Sequence, residues 1–214
     1  MKSYVITIKD NPDSYKAAER CIESAARHKI DVKMFDAITP ANNPIKIAEK
    51  KCIPIKGFEE KYSRFENCLS AFLSHFSLWE KCVKDNETYM ILEHDAYFVD
   101  SLNFFMHFDK AINIGKPSYG KAKQPMLLGV NPLTSKQYFP GAHAYMINPA
   151  GAQSFIKRAY IDAGPTDVFL HLGRFPWLQE YWPWPVEARD TFTTIQKTEG
   201  CLAKHNYNDK YKII

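Results

Sequence analysis

The stretch Thr88-Tyr89-Met90-Ile91-Leu92-Glu93-His94-Asp95-Ala96-Tyr97-Phe98 constrains this chain more than any other. Thr88 to Leu92 is a short run of β-branched, aromatic and aliphatic residues, and the polar Lys84-Asp85-Asn86-Glu87 closes the helical pattern before it. A short apolar run bounded in this way reads as a buried strand of a parallel sheet. In open α/β sheets ligands bind beyond the carboxyl ends of the strands, where Glu93 and Asp95 would emerge. Two residues apart, their side chains converge on one ion if the chain leaves the strand extended. Carboxylates that close repel unless a cation lies between them. Hard oxygen donors suit Mg²⁺ or Mn²⁺, which commonly bridges to the phosphates of a nucleotide. The competing reading is a strand end with solvated acids.

The 214 residues suit one domain, expected over 1–203 with a polar tail at 204–214, and can bury a core without staples. A net charge of +4 permits a polyanionic partner without demanding one, since no dense run of basic residues occurs. Cys21, Cys52, Cys68, Cys82 and Cys201 are odd in number, scattered and free of Cys-x-x-Cys pairs, so neither a disulfide framework nor a zinc site is signalled. A reducing, cytoplasmic setting fits them. Met1-Lys2-Ser3 runs directly into Tyr4-Val5-Ile6-Thr7-Ile8, too short and too β-branched for a secretory leader. No apolar run is long enough to span a bilayer, which leaves peripheral membrane contact open.

Tyr4 to Ile8 reads as a strand, Asn11 or Asp13 as a helix cap with Pro12 in the first turn, and Ala17, Ala18, Cys21, Ile22, Ala25 and Ala26 as a helix stripe. Val32 to Ile38 makes a second strand, and strand–helix–strand implies a right-handed parallel crossover. Thr39 to Lys61, with Pro40, Pro44 and Pro54, reads as a long loop or broken elements, a candidate flap. Phe65, Cys68, Leu69, Phe72, Phe76, Trp79 and Val83 give the clearest helix in the chain. A short helix around Phe104, Phe105 and Phe108, a polar loop from Asn113 to Gln124, and strands at Met126 to Val130 and Gly141 to Ile147 follow. Helices are then expected from Pro149 and over Asp167 to Leu172. In the aromatic run Phe175 to Pro185 the prolines argue against a regular helix or central strand. The run reads as a loop pinned by its rings or as a shelf for a sugar or base.

These pieces, taken in order, resemble a known family. Phe35-Asp36-Ala37-Ile38, Leu73-Ser74-His75-Phe76-Ser77-Leu78-Trp79, Ile91-Leu92-Glu93-His94-Asp95-Ala96, Gly141 to Ala152 and Pro165-Thr166-Asp167-Val168-Phe169-Leu170, with Arg20 on the first helix, resemble glycosyltransferase family 25. That family includes lipopolysaccharide-core and collagen-type galactosyltransferases. The resemblance implies a single-domain GT-A-like, Rossmann-like α/β fold with a mostly parallel sheet flanked by helices. It also implies a nucleotide-sugar donor (often a UDP-hexose), a divalent metal, and inversion at the anomeric carbon. The family motif is usually Glu-Asp-Asp, so Glu93 and Asp95 match its outer positions and His94 departs from the middle one.

On that reading Asp95 and Glu93 hold Mn²⁺ or Mg²⁺, His94 either weakens the site or ligates it, and His205 is a further candidate ligand. The base that takes the acceptor proton is Asp167, with Asp190 in reserve. Thr7, Lys9 and Asp36 lie where a base and ribose would sit, and Ser74, His75 and His143 are pocket candidates. Each has a structural alternative: Asp167 as a first-turn acid, Asp36 as a turn acid, His75 as a satisfied core histidine, His205 as a surface histidine. A Ser74–His75 hydrolase pair is excluded, since helix neighbours point about a hundred degrees apart. The leading function is metal-dependent transfer of a hexose to a glycan or lipid-linked saccharide. The alternatives are the same chemistry on a hydroxylated nucleic-acid base, or a non-catalytic module whose acidic motif has decayed.

Overall fold

The computed structural model describes residues 1–59, 63–103, 106–118, 120–189, 192–197 and 212–213. Strand β1 (Lys2–Thr7), helix α1 (Pro12–Arg27) and strand β2 (Lys33–Asp36) form the expected βαβ unit. Asn11 caps α1, its side-chain oxygen accepting the N–H groups of Asp13 and Ser14, and Pro12 occupies the first turn.

Of the two readings of the stretch from Thr39, a long loop or broken elements, the structure shows the second. Helix α2 (Pro44–Lys50) lies between two short 3-10 helices, Pro40–Asn42 and Lys56–Phe58. Pro44 does not break the chain here. It starts α2, whose cap Asn43 accepts the Lys46 N–H, because the first turn has no use for the N–H that proline lacks. Ala48, Ile53 and Phe58 are buried, so this segment belongs to the core and is not a flap.

Helix α3 (Phe65–Asp85) is the central packing element. It delivers the chain to strand β3 (Tyr89–Glu93), and a tight turn leads on to strand β4 (Ala96–Phe98). Then come β5 (Ala111–Asn113), β6 (Gly129–Pro132), β7 (Ala144–Ile147), α4 (Pro149–Ala159), the single turn α5 (Thr166–Phe169), β8 (Gln179–Trp182), β9 (Val186–Ala188), β10 (Phe192–Thr193) and β11 (Lys212–Ile213). Of the helix expected around residue 104, Phe104 and Phe105 lie outside the described residues and 106–108 are not helical.

Seven strands make one sheet in the order β2-β1-β3-β7-β5-β8-β6. The α/β, Rossmann-like architecture is as expected, and the sheet is mixed. β1 pairs parallel with β2 and β3, and β5 with β8, whereas β7 runs antiparallel to β3 and β5, and β6 to β8. β4 pairs with β9, and β10 with β11. The aromatic run corrects the expectation drawn from its prolines. Pro176 and Pro183 bracket β8, all four residues of which pair with β6 while Gln179 and Glu180 also pair with β5. Phe175 and Leu178 are in the core, and Trp177 stacks on Phe155 at 5.5 Å.

The non-alternating run in β3 is explained by cover on both faces. Tyr89 and Ile91 join the core under α3, and Met90 and Leu92 the core under α1. Phe72 sits at the centre of the α3 side, ringed by Phe58 at 5.2 Å, Phe169 at 5.3 Å and Trp79 at 5.6 Å. Phe72→Ala should therefore cost about 3–5 kcal/mol in urea unfolding. A loss below about 1 kcal/mol would mean that α3 does not carry the core in this way.

Candidate active site

β1, β2 and β3 are parallel, so their carboxyl ends share one edge of the sheet. Register places Thr7 opposite Asp36 and Ile6 opposite Glu93. β7 runs the other way and brings its amino end to the same edge. There the Glu93 N–H donates to the His143 carbonyl at 2.9 Å. Next in the row is Gly115, where a Cβ would fall 2.5 Å from His143 Nε2. At Gly141 (φ +93°) a Cβ would fall 3.0 Å from Nδ1 of the same ring. The two glycines form a slot in which His143 lies almost fully buried, so the room beside it expected for a ligand is closed.

Glu93 ends β3 on the α3 side and is the exposed terminus of a buried hydrogen-bond chain. Trp79 Nε1–H donates to the Tyr145 hydroxyl at 2.8 Å, and that hydroxyl lies 2.9 Å from His75 Nδ1. His75 Nε2 lies 3.1 Å from Glu93 Oε1. Indole can only donate, and a carboxylate can only accept. One assignment satisfies every member: Tyr145 O–H donates to Nδ1, and a neutral His75 donates its Nε2–H to Glu93. The His75 side chain is 1% exposed and that of Glu93 is 30% exposed. Burial pushes the His75 pKa down to about 3, against an opposing pull from the negative charge of Asp167. His75 is thus a satisfied core histidine that reaches the site only through Glu93.

The chain does not leave β3 extended. His94 and Asp95 turn toward β4, so the condition for Glu93 and Asp95 to align as i and i+2 of a strand is not met. The Ser14 hydroxyl accepts the Ile8 N–H at 3.0 Å and is hydrogen-bonded to His94 Nδ1 at 3.1 Å. The ring stacks on Phe192 at 5.2 Å. Burial, with a smaller push from the Arg20 guanidinium, lowers the His94 pKa to about 4. His94 here ties the strand end to α1 through Ser14. Asp95 is almost buried, accepts the Arg189 N–H on its backbone oxygen at 2.8 Å, and its charge adds to the burial that raises the pKa of Cys21 on α1.

The other expected site residues divide in the same way. Thr7 is fully buried with its hydroxyl on the Val5 carbonyl, and offers a ligand nothing directly. Ser74 Oγ donates to the Ser70 carbonyl and accepts the Ile38 N–H, fastening the chain beyond β2 to α3. Lys9 and Asp36 are exposed and paired with each other at the sheet edge. Asp167 takes the Val168 N–H at 2.9 Å, the first-turn role, yet its charge still reaches His75. Asp190 and His205 lie outside the described residues. Tyr145, Trp79 and Ser14 were not expected. Tyr145 follows His143 by two positions on a strand, the same-face spacing that could have flagged it.

Among the described residues no three His, Cys, Asp or Glu side chains group to hold a metal. What the strand end offers a hard ion is a single carboxylate, from Glu93 or Asp95, and phosphate oxygens and water would have to complete its shell.

A family model described as glycosyltransferase family 25 (LPS biosynthesis protein) matches residues 1–122. No curated protein matches the chain. Among solved structures the chain is similar to the CTP:phosphocholine cytidylyltransferase from Streptococcus pneumoniae, with 10% identity over 86% of this chain and 91% of that one, at a TM-score of 0.37. No helix among the described residues is long and apolar enough to cross a membrane.

Two tests follow from the buried chain. Tyr145→Phe leaves Trp79 Nε1–H and His75 Nδ1 buried without a partner, and should cost about 1–3 kcal/mol in chemical denaturation. A neutral result would dissolve the chain. Since the folded pKa of His75 lies below the unfolded value of 6.5, the unfolded state binds the extra proton. The stabilisation is complete above about pH 6.5 and fades as pH falls toward about 3, at up to about 1.4 kcal/mol per pH unit. The urea midpoint should thus be clearly lower at pH 5 than at pH 7.5, and equal midpoints would show that His75 is not held neutral.

Proposed function

Because the chain belongs to glycosyltransferase family 25, we propose that it moves a hexose from a nucleotide sugar, a UDP-hexose, to a hydroxyl of a glycan or glycolipid with inversion at the anomeric carbon. The observation that carries this reading is the grouping around one buried imidazole. Glu93 accepts its Nε2–H, and Asp167, from a distant part of the chain, acts on it electrostatically. Glu93 ends β3 at the carboxyl edge of the sheet, where such folds take their ligands, and Asp167 is close enough to the same imidazole for its charge to act on it.

In this reading the acceptor oxygen attacks the anomeric carbon while the bond to the leaving diphosphate breaks on the opposite face. Asp167 takes the acceptor proton, which makes the oxygen a competent nucleophile. Glu93, held in one orientation by His75, supports the donor end. Lys9 and Asp36 lie beyond it on the same edge, within the region for the ribose and base. A Mn²⁺ or Mg²⁺ ion would take a carboxylate from Asp95 or Glu93 and, when bound, would supply Lewis-acid stabilisation of the diphosphate charge.

Calorimetric titration with UDP in the presence of Mn²⁺, together with turnover on a UDP-hexose, tests the assignment. Asp167→Asn should retain UDP affinity and lose about a hundredfold or more in kcat. Asp95→Ala should lose metal-dependent UDP binding. Normal turnover in Asp167→Asn would remove that residue as the base, and no UDP binding by the unaltered chain would remove the donor.

A further inference from the structure

Between Asp109 and Asp162 the sequence contains Lys110, Lys116, Lys121, Lys123, Lys136, Lys157 and Arg158 and no acid at all. Within this one-signed stretch lies the largest exposed apolar feature of the described residues. Met126, Leu127 and Leu128 are consecutive and 96%, 67% and 80% exposed. Lys121 and Lys123 are exposed just before them.

The tip is built. Asn131 is 5% exposed, accepts the Leu127 N–H at 3.3 Å, and donates to the Leu127 and Gly129 carbonyls at 2.8 and 2.9 Å. Gly129, at φ +88°, makes the bend into β6. The backbone polar groups are thus drawn inward by one buried amide, and the three apolar side chains are left facing outward. The Lys123 N–H, bonded to the Ser135 carbonyl at 3.2 Å, fixes the basic arm to the same loop.

Strand directions say where the tip points. β6 runs antiparallel to β8, which is parallel to β5; β5 and β3 both run antiparallel to β7. The start of β6 therefore lies at the carboxyl edge of β3 and β8, the edge that carries Glu93. Gly129 pairs there with Trp182, and the partly exposed rings of Trp182 and Trp184 pack edge-to-face at 4.5 Å beside it. Tryptophan is a residue of membrane–water interfaces.

We propose that Met126, Leu127 and Leu128, with Lys121 and Lys123, anchor the protein on an anionic lipid bilayer with the edge bearing Glu93 turned toward the membrane. Three side chains are a small contact against the ~800 Å² per partner of a stable protein interface. A few buried apolar groups joined to basic residues that attract anionic headgroups do make an interfacial anchor. This assignment stands on the loop itself and is independent of the donor and acceptor proposed above.

Sedimentation of the full chain with vesicles of phosphatidylcholine, or of phosphatidylcholine with an equal part of phosphatidylglycerol, tests it. The protein should bind the anionic vesicles at least about tenfold better than the neutral ones, a preference removed by Lys121→Glu/Lys123→Glu and weakened by added salt. Leu127→Asp/Leu128→Asp should lower anionic-vesicle binding about tenfold or more. Both changes are on the surface, and unchanged near-ultraviolet circular dichroism shows that the fold is intact. Leu128→Trp should shift its emission to the blue on the anionic vesicles. Equal binding by the unaltered chain and the aspartate pair, or no emission shift, overturns the proposal. So does an aspartate pair that abolishes self-association in sedimentation velocity while vesicle binding is unchanged, an outcome that assigns the tip to a second copy.

Discussion

A neutral imidazole sealed between a tyrosine hydroxyl and a carboxylate is the contact on which the site depends. His75 cannot turn without leaving either Tyr145 or Glu93 unsatisfied, and Tyr145 is in turn held by the indole of Trp79. Buried polar groups left without a partner are costly, so the chain is stable only when complete. Its members come from α3, β7 and the end of β3. The same bonds that pack helix against sheet therefore aim Glu93 outward. Core stability and site geometry are one arrangement here.

The sheet supplies the second constraint. Parallel β1, β2 and β3 bring Thr7, Asp36 and Glu93 to one edge, and antiparallel β7 adds His143 from the other direction. Lys9 with Asp36 stands at one end of that edge, and the start of β6 with its exposed apolar residues at the other. Sugar chemistry proposed for the middle of the edge and a membrane contact proposed for its far end are compatible with one orientation of the molecule.

Much of the first half was legible, because local physics and tertiary structure agree there. Asn11 and Pro12 announce α1, the spacing from Phe65 to Val83 announces α3, and the run from Tyr89 to Leu92 is uninterrupted because it is covered on both faces. Pro44 misled because a proline that opens a helix looks, in sequence, like one that ends it. β5 is three residues long and has no period to read, while β8 survives between two prolines because only residues 179–182 need to pair. In the site, the place of Glu93 at the end of β3 followed from strand logic, but its meeting with His143 on an antiparallel strand did not, nor did the partners of His75. Spacing marked it as helical and could not reveal that a tyrosine from β7 closes over it. The extended exit assumed for Glu93 and Asp95 is replaced by a turn at His94 and Asp95, which Ser14 and Phe192 hold in place.

The most direct measurement is the proton on His75, read from its ring nitrogens by ¹H–¹⁵N NMR across an acid titration from about pH 7.5 to about pH 5. The account requires a proton on Nε2, a bare Nδ1, and a ring that stays neutral throughout, as burial pushes its pKa down to about 3. A proton on Nδ1, or a midpoint near the ordinary imidazole value, would contradict the chain that aims Glu93.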